Sequence, residues 1–180
     1  MAPNQPPWPR EWLMTDERIG VRLWETIEAL PCGAGIVFRQ YTTPDEVRAA
    51  LARDIARHCR ENGLTLAVAR DAGLAAQLGA KLIHNPSSDP GGLPFSRSAH
   101  SLEEAQAACD SGAALLFVSP VFPTRSHPGL PGLGHDEAVR IAQACSVPAI
   151  ALGGVNRANF EPLRRGGFYG WAGIDAWLGD

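Results

Sequence analysis

Two short stretches of this 180-residue chain hold groups able to move a proton and to bind an anion. Ser98-Ala99-His100 sets a hydroxyl and an imidazole two residues apart, a spacing that puts both on one face of an extended chain. A free imidazole titrates near ~6.5, so His100 suits proton transfer in either direction at neutral pH. Gly153-Gly154 follows the apolar run Ala149–Leu152, and Gly173-Ile174 ends another short run near the C-terminus. Glycine lets backbone N–H groups come close to an anion, which makes a phosphomonoester the expected ligand there. A third stretch, Pro120 to Gly134, is long and punctuated by Gly and Pro. Loops of that length in compact domains are commonly functional lids. In it Thr124, Arg125, Ser126 and His127 supply hydroxyl and cationic donors, and Phe122 supplies an apolar wall.

The basic residues narrow the chemistry. Fifteen of the 16 are Arg, and Lys81 is the single lysine, so anions must be met by Arg forks such as that of Arg39 or by main-chain N–H groups. The net charge of −3 with no basic cluster argues against a nucleic-acid partner, and no apolar run approaches the ~18 residues of a membrane span. Small-molecule ligands and a cytoplasmic location are expected. Cys32, Cys59, Cys109 and Cys145 show no C-x-x-C pair and no histidine at metal-ligand spacing, so they read as buried, reduced thiols. Residues 1–10, rich in Pro and without an apolar signal segment, read as an arm on a single domain spanning 1–180.

Short apolar runs alternate with helical patterns along the chain, the rhythm of a parallel sheet. Strands are expected at Trp12–Met14, Gly35–Phe38, Leu64–Ala69, Leu82–His84, Pro94–Arg97, Ala114–Ser119, Ala149–Leu152 and Tyr169–Gly173. Several are continuously apolar, as strands covered on both faces are. Thr43, Pro44 and Glu46 open a helix whose Val47, Leu51 and Ile55 share a face, and Ser101 with Glu104 forms a capping box. Ala138, Ile141, Ala142 and Cys145 make a further stripe ahead of Pro148.

Eight such strands imply a small (β/α)₈ TIM barrel. Between His84 and Pro94 there are two prolines, two adjacent glycines and no apolar periodicity, so the fourth helix is expected to be missing. A partner chain in a homodimer, or the Pro-rich arm, would then cover the bare strand. Barrel active sites lie at the C-terminal strand ends, where Arg39, His84, Ser98, His100 and the glycine turns fall. Lys81 precedes its strand and lies at the other end, which disfavours Schiff-base chemistry.

Three segments, Ser96 to Ala105, Val118 to Thr124 and Ile150 to Val155, resemble in order and spacing the thiamine-phosphate synthase and TenI superfamily. The resemblance implies a thiazole-phosphate pocket and two competing activities. The synthase couples a pyrimidine diphosphate to the thiazole phosphate with Mg²⁺. Its Gln-x-Arg-x-Lys pattern falls on Val37, Arg39 and Tyr41, its Asn-Asp pair on Ala69 and Arg70, its further aspartate on the short loop near Asp89, and its loop lysine on His127. So few cations and carboxylates leave little to hold a diphosphate and its metal. The tautomerase branch shares the run around His100 and implies a histidine acid/base that aromatises a thiazole carboxylate phosphate, with no cofactor. Asp175 stands where the superfamily usually has Ser and is expected to cap the last helix. The resemblance therefore implies a metal-independent tautomerase first, a synthase second and a non-catalytic ligand-binding homologue third.

Overall fold

The computed structural model describes residues 7–126, 129 and 131–178. Eight parallel strands close into a barrel in chain order: β1 (Glu11–Met14), β2 (Gly35–Phe38), β3 (Thr65–Ala69), β4 (Leu82–His84), β5 (Phe95–Ala99), β6 (Leu115–Val118), β7 (Ala149–Leu152) and β8 (Gly170–Gly173). Closure is made by β1 and β8, where Trp12 stands beside Ala172. The helices α1 (Leu23–Glu28), α2 (Asp45–Asn62), α3 (Ala72–Leu78), α4 (Leu102–Asp110), α5 (His135–Gln143) and α6 (Phe160–Arg165) lie between strands. Between β4 and β5 no helix forms, and the loop folds over its own strand: Arg97 on β5 donates to the Pro86 carbonyl at 3.0 Å and lies over the Phe95 ring.

The barrel interior is filled by side chains that meet from distant strands. The rings of Trp12 on β1 and His84 on β4 both pack edge-on against Phe117 on β6, at centroid separations of 5.8 and 4.9 Å. Room for the indole comes from Gly35, where a Cβ would run into the Trp12 ring. Such interdigitation is what makes the barrel a core rather than a pore.

Four expectations need correction. Val47 is largely exposed, while Leu51 and Ile55 of the same stripe pack into the core, which α2 extends with Ala52, Ala56 and Cys59. Cys32 is exposed in the turn before β2. The described part of the N-terminal arm does not cover the bare strand. It is pinned at the N-terminal end of the barrel, where the Tyr169 hydroxyl donates to the Trp8 carbonyl at 2.7 Å and Trp12 donates to the Pro9 carbonyl at 2.8 Å. Finally, the last helix is only a 3₁₀ turn, Asp175–Trp177, preceded by Ile174 with no side-chain cap. Among the described residues no helix is long and apolar enough to cross a membrane.

Candidate active site

A cavity of about 670 Å³ opens at the C-terminal end of the barrel. Arg39, Thr124, Arg125, Ser126, Gly153, Gly154, Gly173 and Ile174 all line it, so eight of the residues picked out by type and spacing come together in space. Arg22, Ser119, Pro120, Pro123, Asn156 and Asp175 line it as well. A more open cleft of about 680 Å³ lies at the other end of the barrel, beside Trp8, Cys32 and Tyr169. Catalytic groups in this fold gather at the C-terminal strand ends, so the first cavity is the candidate site.

The two glycines after β7 are demanded by the neighbouring loop. Gly153 and Gly154 have φ of +90° and +64°. A Cβ on Gly153 would stand 2.8 Å from Pro120, and one on Gly154 would stand 2.7 Å from the Pro123 carbonyl oxygen. The β6 loop is drawn down onto this turn by Val121 N–H donating to Leu152 O at 2.9 Å and Phe122 N–H donating to Gly153 O at 3.0 Å. Pro120 and Pro123, rather than Phe122, supply the apolar wall, because Phe122 is turned against Gly154. Among the described residues the N–H groups of Gly153, Gly154, Asp175 and Ala176 donate no hydrogen bond, so the turns after β7 and β8 offer main-chain donors to the cavity. Asp175 does not cap the 3₁₀ turn; its carboxylate accepts from Arg125 Nε at 3.0 Å.

On the β1–β2 side a chain of charges holds the rim. Arg39 Nε donates to the Thr15 carbonyl at 2.8 Å and its Nη2 to Asp16 at 3.0 Å. Asp16 also accepts from Arg18 Nε at 2.8 Å, and Arg18 Nη2 reaches Ser126 of the β6 loop at 2.9 Å. Burial works to raise the Asp16 carboxyl, but the hydrogen bonds and charges of Arg18 and Arg39 outweigh it and hold it below the usual carboxylate range.

Ser98 and His100 fall outside the cavity lining. Ser98 points inward into a separate buried network, accepting from Asn85 Nδ2 at 2.9 Å and lying 3.4 Å from His84 Nε2. His84 Nδ1 is 3.0 Å from Ser96 Oγ. Burial, then the charges of Arg39, Arg97 and Arg70, push the His84 pKa down to about 3, so this imidazole stays neutral. His100 lies just beyond β5, exposed, with Nδ1 2.6 Å from the carbonyl oxygen of the cavity-lining Ser119. A carbonyl can only accept, which places the proton on Nδ1 and leaves Nε2 as the acceptor nitrogen. Glu104 of the capping box reaches past Ser101 to accept from the His100 N–H at 2.8 Å, so the helix start holds the histidine backbone.

The positions that would hold Mg²⁺ in a synthase do not fit that ion. Arg70 follows β3 with φ +66° and lies over the Tyr41 ring at 4.3 Å. Asp71 caps α3 by accepting from Leu74 N–H at 2.8 Å and pairs with Arg48, and Asp89 accepts from Gly91 N–H at 2.8 Å. Among the described residues no three His, Cys, Asp or Glu gather as a metal-binding group. His127 lies outside the described residues.

The family model described as thiamine monophosphate synthase matches residues 92–177, which take in β5 to β8 and the whole glycine-turn side of the cavity. The thiamine-phosphate synthase of Geobacillus kaustophilus is 33% identical over 138 residues, 71% of this chain and 62% of the relative. The thiamine phosphate pyrophosphorylase from Pyrococcus furiosus superposes with a TM-score of 0.82 at 25% identity, covering 95% of this chain and 88% of that one. In sequence over β5 to β8 and in fold over nearly the whole chain, this protein is similar to the thiamine-phosphate synthase/TenI superfamily. A putative thiamine-phosphate synthase 2 of Aquifex aeolicus is 37% identical over 81 residues, 45% of this chain and 44% of that relative. The matched stretches thus span less than two thirds of these two curated superfamily members.

Proposed function

We propose that this chain is an enzyme of thiamine biosynthesis that binds a thiazole phosphate at the β6–β8 side of its barrel mouth and acts as a tautomerase, with His100 as the acid/base and no divalent metal. The observation that carries this reading is the contact between His100 Nδ1 and the carbonyl of the cavity-lining Ser119, which holds the imidazole beside the cavity with Nε2 as its acceptor nitrogen. Around that cavity the main-chain N–H groups of Gly153, Gly154, Asp175 and Ala176 would bind the phosphate, with Gly173 and Ile174 shaping the turn that presents the last two, while Thr124, Arg125, Ser126 and Arg39 would frame the ligand. His84, held neutral deep in the barrel, is no shuttle at physiological pH. In the step proposed, a saturated ring carbon loses a proton and an exocyclic carbon conjugated with the ring gains one, so the ring double bonds close into the aromatic set, no bond to an external group forms and no redox partner is needed.

The names of the relatives favour a second reading, the coupling of a pyrimidine diphosphate to the thiazole phosphate as a transferase. The engaged carboxylates at the β3 and β4 ends weigh against it. Turnover of the non-aromatic thiazole phosphate followed by ultraviolet absorbance, beside a coupling assay with Mg²⁺, separates the two. Metal-independent aromatisation supports the tautomerase, and Mg²⁺-dependent thiamine phosphate supports the synthase.

A further inference from the structure

The four cysteines stand far apart in the chain, yet the fold brings two of them together outside the cavity lining. Cys109 lies in the last turn of α4, and Cys145 follows just beyond the end of α5. Both are partly exposed, whereas Cys59 is buried. The Cys109 and Cys145 side chains are in hydrogen-bonding contact with each other.

The packing behind this contact is built largely from alanines. α4 buries Ala105 and Ala108, α5 buries Ala138, Ile141 and Ala142, and all five belong to one apolar cluster against which Cys145 packs. Small side chains on neighbouring helices let their axes come close, so the residues at the two helix ends meet. Barrel helices run back from the cavity end, which puts the ends of α4 and α5 at the opposite end, ahead of β6 and β7. A link there would tie two consecutive βα units on the face that barrels keep for stability rather than chemistry.

We propose that Cys109 and Cys145 are a redox-responsive pair, converted to a disulfide by a low-molecular-weight disulfide as oxidant, and that the bond staples α4 to the end of α5. The exchange takes two steps. Cys109 loses its proton and its thiolate attacks the small disulfide, so that a bond to one small sulfur forms as the small disulfide bond breaks and one small thiolate leaves. Cys145 then loses its proton and attacks the Cys109 sulfur, expelling the second small thiolate. The two leaving thiolates take up the two protons, so the protein thiols lose two electrons and one small disulfide is reduced to two thiols. Burial, and then the contact with Cys109, push the Cys145 thiol up to about 12, which leaves the first attack to Cys109. The ring closed by the bond takes in β6, the loop after it and α5, and long rings restrict the unfolded chain most.

Peptide mapping by mass spectrometry without reduction, on the full chain incubated with oxidised glutathione, tests this. Cys32→Ser serves as the background, because it removes the exposed thiol. A cross-linked Cys109–Cys145 peptide should appear, and the oxidised chain should melt ~5–10 °C above the reduced one, the shift expected of a disulfide in a domain of this size. Dithiothreitol should reverse both changes, and Cys109→Ser and Cys145→Ser should each abolish them. The map is read on a chain that keeps both cysteines, so poor folding of either variant leaves the test standing. Free thiols at both positions under conditions that modify Cys32 in the wild-type chain overturn the proposal. So do lasting mixed disulfides with glutathione at Cys109 or Cys145, or a cross-linked chain that melts no higher than the reduced one.

Discussion

The two halves of the barrel mouth have been built to opposite ends. On the β6–β8 side, glycines with positive φ let the β6 loop press down, and the result is an open cavity edged by unpaired N–H groups. On the β2–β5 side, polar groups satisfy one another: His84 with Ser96, Asn85 with Ser98, and Asp71 with both the α3 start and Arg48. A half whose donors are free can meet a ligand, whereas a half whose donors and acceptors are mutually satisfied gives up binding for rigidity. The phosphate-bearing part of a substrate belongs with the first half. The second offers a metal and a diphosphate almost nothing.

The largest expected effect tests the proton shuttle at the border of the halves. His100→Asn should keep the fold and phosphate affinity yet lower tautomerase turnover by ~10²–10⁴-fold, the range of a lost general acid or base. Equal rates in wild type and variant would remove His100 from the reaction. Next come the glycines. Gly154→Ala adds a Cβ against the Pro123 carbonyl at an already strained φ, so thermal melts should show a loss of roughly 1–3 kcal/mol together with weakened phosphate binding. Gly91→Ala, in the loop between β4 and β5, carries a positive φ but meets nothing within 4 Å, so it should cost about 1 kcal/mol and leave ligand binding unchanged. Indistinguishable behaviour of the two variants would erase the contrast.

A pH effect marks the closed half. His84 is neutral in the folded chain down to about 3, whereas an unfolded histidine takes up a proton near ~6.5. The unfolded chain therefore binds the extra proton between those values, and stability that is complete above ~6.5 falls as the pH drops, by up to ~1.4 kcal/mol per pH unit. Denaturant melts at about pH 7 and about pH 5 should show this fall, and His84→Gln should flatten it. The smallest effect belongs to the cavity rim: Asp175→Ser removes a carboxylate beside the N–H donors and should tighten phosphate binding several-fold, about 1 kcal/mol, in calorimetry.

The contrast between the halves was only partly legible in the chain. Gly35–Phe38, Leu82–His84 and Ala149–Leu152 are read to the residue because strands buried on both faces leave continuous apolar runs, and the Pro and Gly content of Asn85–Leu93 announces the lost helix. Glycine turns and polar loop residues could be assigned to one cavity because the barrel brings every strand end to the same face. Arg22 left no such signal, since its position follows from one positive φ at Gly20 that no periodicity encodes. The His84 network was hidden for another reason. A short strand ending in histidine looks the same whether the ring faces solvent or, as here, packs on Phe117 of β6 and bonds Ser96 of the neighbouring β5 inside the barrel.

Proton transfer on a thiazole phosphate without a divalent metal, as proposed for this chain, is tested most directly by metal removal. Protein stripped with EDTA and assayed with and without added Mg²⁺ should aromatise the thiazole phosphate at the same rate in both conditions, and should form thiamine phosphate from the pyrimidine diphosphate at neither. Robust thiamine phosphate formation that appears only with Mg²⁺ would contradict the account and assign this chain to the coupling reaction.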